Sequence, residues 1–381
     1  MTPTDVARRV QQHDELRYWL ALLRAPGIGA VGFRRILGQY PRLAELFNGQ
    51  PAASRAEKLP GNFQRYLRRP DWHAVEQDLA WCAEPGNHIV TCLDQQYPAI
   101  LHSIPDPPSL LFVVGNPARL ADLQIAVVGS RNPSPSGERN ARAFSRHFSS
   151  RGLTVTSGLA TGIDAAAHSG ALELSGRTIA VLGTGPDRIY PSIHRELAQR
   201  IADTGALVTE LPPGTPPLAG NFPRRNRLIS GLSLGVLIVE AALRSGSLIT
   251  ARLAAEQGRD VFAIPGSTHN PLARGCHQLI RQGAKLVEKA EHVLEELGSI
   301  ALAAIVSRME EIPQQNNPVT DSASQNVLDV LGDDPLSIDE LVDLCGLTPE
   351  RLSSMLLLLE LEGHVAKHPG GRYSRSRRVL T

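Results

Sequence analysis

The sequence predicts an α/β protein: a doubly wound, Rossmann-like parallel sheet, preceded by a small helical N-terminal domain and followed by a winged-helix-like C-terminal domain. Three observations carry that prediction. Between about Leu123 and Leu297 short apolar strands alternate with helical stretches, the rhythm of βαβ units. The strands are continuous apolar runs, such as Thr178-Ile179-Ala180-Val181-Leu182, as expected where helices cover both sheet faces. Two of them, between Ile125 and His168, feed glycine-containing turns and then helices, which lines one rim of the sheet with backbone N–H groups.

Residues 1–93 read as a helical domain of the SAM or helix-hairpin-helix kind. Leu16, Trp19, Leu20 and Leu23 fall at helical spacing before a stop at Pro26-Gly27-Ile28-Gly29. Tight-turn amides there, with Arg34 and Arg35 nearby, could hold a DNA phosphate. The alternative, a helical turn packed on its own domain, is favoured because the glycine signal is only a G-I-G core.

Asp94 to Leu111 is dense in turn residues and marks the boundary of the main domain, residues 94–312. Strands are expected near 124–129, 154–157, 178–183, 206–210, 235–240 and 260–264. At their carboxyl ends lie Gly129-Ser130-Arg131, Ser157-Gly158 with Gly162, Gly183-Thr184-Gly185, Glu210 and Glu240. Such an edge binds anions.

Residues 313–325, with a Gln-Gln-Asn-Asn-Pro core, have too little apolar content to fold and read as a linker. Residues 326–381 then read as three helices and a small β wing, with Ser337 and Thr348 as helix caps and Gly346 between the last two helices. The tail adds Lys367, Arg372, Arg375, Arg377 and Arg378, as a DNA-binding wing would. The third helix is apolar and acidic through Leu356 to Glu362, unlike a groove-reading helix, so a protein-contact or regulatory role is favoured.

Composition bounds the function. The formal charge is +1, from 39 basic and 38 acidic residues, so any polyanion must be held by a local patch rather than a global field. Cys82, Cys92, Cys276 and Cys345 form no C-x-x-C pair, which argues against structural zinc and a disulfide framework. No signal core opens the chain, and no apolar run approaches the roughly 18 residues that span a bilayer, so a cytoplasmic protein is expected.

The densest chemistry lies between 221 and 250. Phe222, Arg224, Arg225, Asn226 and Arg227 start a helix where guanidinium groups could hold successive phosphates and the ring could stack on a base. A solvated basic turn with Phe222 in the core fits equally well in isolation. Ser245-Gly246-Ser247 adds hydroxyls and amides at another helix start on the same rim. One mononucleotide needs one or two such cradles; an extended backbone needs a row.

G-S-R at 129–131, S-G-L-A-T-G-I-D-A-A-A-H at 157–168, F-P-R-R-N-R-L-I-S-G-L-S at 222–233 and S-G-S-L-I-T at 245–250 together resemble the DprA/Smf family of bacterial DNA-processing proteins. The resemblance runs from about Asp94 to Val287. It implies binding of single-stranded DNA without strong sequence preference, protection of incoming strands in natural transformation, and loading of RecA. It further implies no enzymatic activity, no cofactor, a homodimer, and contact with single-strand-binding protein as a further partner. Arg131 would bind phosphate, Phe222 would line the base pocket, and Cys276, His277, Leu279 and Ile280 would lie in the dimer interface. Relatives often carry lysines where this chain has Ser192 and Ala219, so Arg188, Arg195, Arg224 or Arg225 would have to compensate.

The competing expectation is a Rossmann-type nucleotide or phosphoribosyl hydrolase, with Asp164, Glu210, Glu240 and His168 as acid–base groups. Against it, Asp164 reads as a helix cap and the glutamates as partners of the arginines, with no nucleophile or metal cluster beside them. A dinucleotide oxidoreductase ranks lower, because the first turn lacks the G-x-G-x-x-G spacing.

Overall fold

The computed structural model describes residues 15–48, 61–173 and 176–298, and in the C-terminal part 327–331, 335–345, 347, 352, 355–356, 359, 364–368 and 372–375. The chain forms two compact units, residues 1–307 and 308–381. Among the described residues no helix is long and apolar enough to cross a membrane.

The first unit opens with helices at residues 15–23, Ala30–Gln39, Leu43–Asn48, Gly61–Arg68 and Trp72–Ala83. Leu20, Leu22, Phe33, Ile36, Leu43, Leu46 and Phe63 bury one shared cluster, and Ile28 of the glycine hairpin packs against it. Asp71 caps the last helix by accepting the Ala74 N–H at 3.0 Å.

Next comes a nine-stranded sheet: β1 Asn87–Thr91, β2 Leu110–Gly115, β3 Gln124–Val128, β4 Thr154–Ser157, β5 Thr178–Val181, β6 Ala206–Thr209, β7 Gly235–Ile238, β8 Asp260–Ala263 and β9 Lys285–Leu286. Its order is β1-β2-β6-β5-β4-β3-β7-β8-β9. The strands from β3 to β9 pair in parallel, while β1–β2 and β2–β6 are antiparallel. All six strands expected from the apolar runs are present; β1, β2 and β9 are additions. β1 escapes sequence reading because it is a half-buried edge strand, Asn-His-Ile-Val-Thr, with no alternation to mark it.

Strand geometry explains how the helical region attaches. Successive β2 side chains point to opposite faces, so Leu110 and Phe112 join the helical cluster while Leu111 and Val113 join the sheet core. In the centre, Ala126, Val128, Val236 and Ile238 enter one core layer, and Ile125, Val127, Leu237 and Val239 the other. Both faces are therefore dry, as the continuous apolar runs require.

The order also fixes where a ligand crevice falls. The chain proceeds from β3 through β4 and β5 to β6 in one direction, then returns to place β7 on the other side of β3. Helices leaving the carboxyl ends of β3 and β7 diverge to opposite faces, opening a crevice between them.

In the second unit, β10 Leu336–Ser337, β11 Val365–His368 and β12 Arg372–Arg375 form a three-stranded sheet in the order β10-β12-β11. The Ile338–Cys345 helix starts with a capping box: Ser337 Oγ accepts from Glu340 N at 3.3 Å, and Glu340 Oε2 accepts from Ser337 N at 2.7 Å. Leu352, Leu356 and Leu359 are buried in this unit's own core, which accounts for the apolar character of the third helical stretch. The linker, Thr348, Gly346, Arg377 and Arg378 lie outside the described residues.

Candidate functional site

A cavity of about 690 Å³ occupies the crevice between the ends of β3 and β7. Its first wall is the turn after β3. A Cβ on Gly129 would stand 2.7 Å from Ile163 Cγ1 and 2.8 Å from the Glu240 carbonyl, so only glycine fits there. Ser130 N donates to the Glu240 carbonyl at 2.7 Å, and Ile163 N donates to the Ser130 carbonyl at 3.1 Å. Glu240 then fixes the far end of the loop: its carboxylate accepts from Ser134 N at 2.8 Å and from Ser134 Oγ at 2.6 Å. Arg131 projects from this rigid loop and is exposed.

The second wall is the turn after β4. Asp164 Oδ2 accepts N–H bonds from Gly158 at 3.1 Å and Ala160 at 3.3 Å, so it ties down the preceding turn. This corrects the expectation of a helix cap: the residue at the cap position is Gly162, with φ +77°. Burial raises the Asp164 pKa, opposed by the nearby Arg225 guanidinium.

The helix Asn221–Gly231 supplies the floor. At about 100° per residue, Arg224 and Arg227 share a face and Arg225 lies to the side. Glu210 accordingly binds the first two: Arg224 Nε is 3.2 Å from Oε1, and Arg227 Nη2 is 2.6 Å from Oε2. Arg227 is only 4% exposed, and its Nε lies 2.9 Å from Asp106 Oδ2. Arg225 Nη1 donates to the Gly158 carbonyl at 2.7 Å and to the Val181 carbonyl. Burial lowers the Arg225 pKa to about 10, which still leaves it charged at neutral pH.

Phe222 stands at the mouth, half-buried. A Cβ on Gly183 would come within 2.7 Å of its Cδ1, so Gly183 is the surface on which the ring rests. The Tyr190 ring centroid is 5.5 Å away at 48°, and the Arg131 guanidinium carbon is 5.8 Å from the Phe222 centroid. Three flat groups thus form an aromatic and cationic ledge. Opposite it, the loop after β7 contributes Arg244, Ser245 and Gly246 ahead of the Ser247–Glu256 helix, with Ser245 Oγ 2.7 Å from Ser247 Oγ.

The cavity therefore gathers Gly129, Ser130, Arg131, Phe222, Arg225, Asn226, Ser245, Gly246 and Ser247. Gly158 lines a smaller hollow of about 90 Å³ beneath the ledge. Ser157 is buried, with Oγ donating to the Val127 carbonyl at 2.7 Å, and Gly162 and Gly185 shape turns behind the wall. The expectation of three guanidinium groups on successive phosphates is corrected: Arg227 is sealed between two carboxylates and Arg224 is paired with one of them. Sequence reading missed Tyr190 and Arg244. Both flank recognised signals, Tyr190 beside the Gly183 turn and Arg244 just before the serine turn, but no local spacing announces them.

His168 is fully buried, with Nδ1 2.7 Å from Thr178 Oγ1, and burial pushes its pKa down to about 3. Cys276 is also buried, its Sγ 3.8 Å from the Ile238 and Val239 carbonyls, which places it in the core rather than on a surface. His277 Nε2 is 2.9 Å from the Gly266 carbonyl. Leu279 and Ile280 pack against the core while remaining partly exposed, and Leu279 lines a separate cleft of about 470 Å³. Among the described residues no group of three or more His, Cys, Asp or Glu side chains could hold a metal ion.

Residues 88–298 match the family model described as DNA recombination-mediator protein A, and residues 311–371 match the DprA winged helix domain. The chain belongs to the DprA/Smf family. Over 319 residues it is 46% identical to Protein Smf of Escherichia coli K12, covering 83% of this chain and 84% of that protein. Over 253 residues it is 48% identical to DNA processing protein DprA of Streptococcus pneumoniae, covering 66% and 87%. The X-ray structure of the Streptococcus pneumoniae DprA superposes with a TM-score of 0.65 at 38% identity, covering 74% of this chain and 97% of that one. DNA processing protein A of Helicobacter pylori, a structure described for its single-stranded DNA binding mode, gives 0.51 at 30% identity over 55% and 96%. The DprA/Smf model starts at residue 88, inside β1, so the antiparallel edge that sequence reading missed lies within the family's core.

Proposed function

We propose that this chain binds single-stranded DNA with little sequence preference, protects it, and assists loading of a RecA-type recombinase during DNA uptake and recombination. One observation carries the reading: Phe222 is bracketed by the Tyr190 ring and the Arg131 guanidinium at the mouth of a crevice that continues to the Ser247 helix start. A ring face accepts any base, and guanidinium and amide donors accept any phosphate, so nothing in this set reads sequence. The family membership and the described DNA binding of the Helicobacter pylori relative support the same ligand.

The proposed organisation is a helical domain 1–93, a DNA-binding domain 94–312, a linker 313–325 and a winged-helix domain 326–381, acting as a cytoplasmic homodimer. A single-strand-binding protein is a further proposed partner, encountered on the same strands. We assign the crevice no catalytic step. The hydrolase reading needs His168 and Asp164 to exchange protons with a ligand, yet His168 is enclosed in the core and Asp164 Oδ2 is bound to two amides.

The test is binding of a fluorescent oligothymidine by wild type and Arg131→Ala over a salt series. Loss of one phosphate contact lowers affinity for every sequence and reduces the slope of log K against log salt by about 0.7. Unchanged binding by the variant, or no binding by wild type, would refute the proposal.

A further inference from the structure

We propose that a bound strand does not end at the Phe222 ledge but continues over Tyr190 into a second basic cleft, where Arg188 and Arg195 take further phosphates. This rests on the reading of the main crevice as a single-stranded DNA site. The second cleft encloses about 480 Å³, and its lining includes Arg188, Arg195, Tyr190, Gln199 and Pro217 together with one carboxylate, Asp187. Tyr190 and Pro217 line the main cavity as well, so the two spaces share a wall and are contiguous around it.

The two arginines of this cleft can turn to a ligand. Arg195 is exposed, and among the described residues it pairs with no carboxylate. It also occupies the first turn of the Arg195–Thr204 helix, where the helix dipole disfavours a cation unless an anion is close. Arg188 is half-exposed and only loosely paired, with Nε 3.6 Å from Asp187 Oδ2. Asp187 is itself committed elsewhere, because its Oδ1 accepts the Gly214 N–H at 2.8 Å. Arg224 and Arg227, by contrast, are held by Glu210.

The apolar surface between the clefts suits the same occupant. Tyr190 is 49% exposed, and Ile193, in the turn just before Arg195, is 80% exposed. Three residues apart in the chain, the two offer open apolar surface that the bases of a strand could cover. Bases of a strand crossing the shared wall would cover Tyr190, while its phosphates would meet the two arginines. A small phosphorylated ligand would fill the main cavity and leave this second cleft unused; a polynucleotide would occupy both.

The experiment compares wild type with the Arg188→Ala/Arg195→Ala double variant, using labelled oligothymidines of about 20 and about four nucleotides. Arg200→Ala, an exposed site on the same helix outside the cleft, is the control. The double variant should bind the long oligonucleotide at least tenfold more weakly, with the salt slope reduced by about 1.4 for two phosphates. Its binding of the short oligonucleotide, and its thermal unfolding, should match wild type. An unchanged slope for the long oligonucleotide overturns the extension, and so does an equal loss at both lengths, which would place the arginines in the main crevice. Wild type that binds neither length refutes the underlying single-strand reading and this one with it.

Discussion

His168 falls one helical turn after Asp164 beside the crevice, and its behaviour separates a binding rim from an acid–base site. The Thr178 hydroxyl donates to the Val155 carbonyl at 2.6 Å, so its oxygen accepts from His168 Nδ1, 2.7 Å away. The imidazole is therefore the neutral Nδ1–H tautomer, and its buried Nε2 has no hydrogen-bond partner. A proton on Nε2 would be a buried charge without an acceptor, and burial, helped by His194 and Arg225, holds the folded pKa near 3 against an ordinary 6.5. Since the unfolded chain binds the proton more readily, stability is complete above pH 6.5 and falls as pH drops toward 3. With those two values, wild type should lose about 2 kcal/mol from this group alone between pH 7 and pH 5. His168→Asn keeps a donor for Thr178 and removes the titration, at the cost of a small cavity. Urea unfolding followed by Trp19, Trp72 and Trp81, which share a unit with His168, measures both proteins at both pH values. The variant's stability should fall by about 2 kcal/mol less than that of wild type over this range, and its oligothymidine affinity at pH 7 should be unchanged. Parallel pH dependences would refute the burial argument; lost DNA binding would place His168 in the working site.

Phe222→Ala should weaken oligothymidine binding by about 1 to 3 kcal/mol with the salt slope intact, measured by fluorescence anisotropy; undiminished affinity would mean the ring serves only the fold. Arg227→Met removes the shorter of the two arginine contacts to the buried Glu210, leaving Arg224, and should destabilise the protein by about 2 kcal/mol in urea unfolding. Its salt slope should stay at the wild-type value, because Arg227 faces Glu210 and Asp106; a reduced slope would make it a phosphate contact. Light scattering should find a wild-type dimer at micromolar concentration, and Leu279→Glu, a partly exposed position in the wall of the separate 470 Å³ cleft, should shift it to monomer; a monomeric wild type would remove the dimer from the scheme.

The central sheet was legible because each buried parallel strand must be apolar on both faces, a demand that composition alone reveals at β3, β5 and β7. The site was legible where backbone chemistry dictates the residue, as at Gly129, where any Cβ meets Ile163 and the Glu240 carbonyl. Side-chain direction was not. Whether Arg227 faces a ligand depends on Glu210, 17 residues away, and on Asp106, in a loop before β2, neither of which local spacing records. Tyr190 escaped for a similar reason: it becomes part of the ledge only because β5 and the Asn221 helix bring its ring to Phe222.

The arginine-rich motif consequently plays a different part from the one its composition advertises. Its helical spacing turns Arg224 and Arg227 toward Glu210 and drives Arg225 inward onto the Gly158 and Val181 carbonyls, so these cations fasten the helix to the strand ends of β4, β5 and β6. That fastening sets the position of Phe222 two to five residues earlier in the chain. In the main crevice the charges left for a ligand come from the loops after β3 and β7, as Arg131 and Arg244, one on each side of the point where the strand order reverses. Cations on two separate lips, one of them carrying the aromatic ledge, suit a backbone that runs along the crevice better than one phosphate held at its centre. The placement of these cations therefore follows from the order of the strands as much as from the motif, and the Glu240-locked loop presents Arg131 at the rim of the crevice.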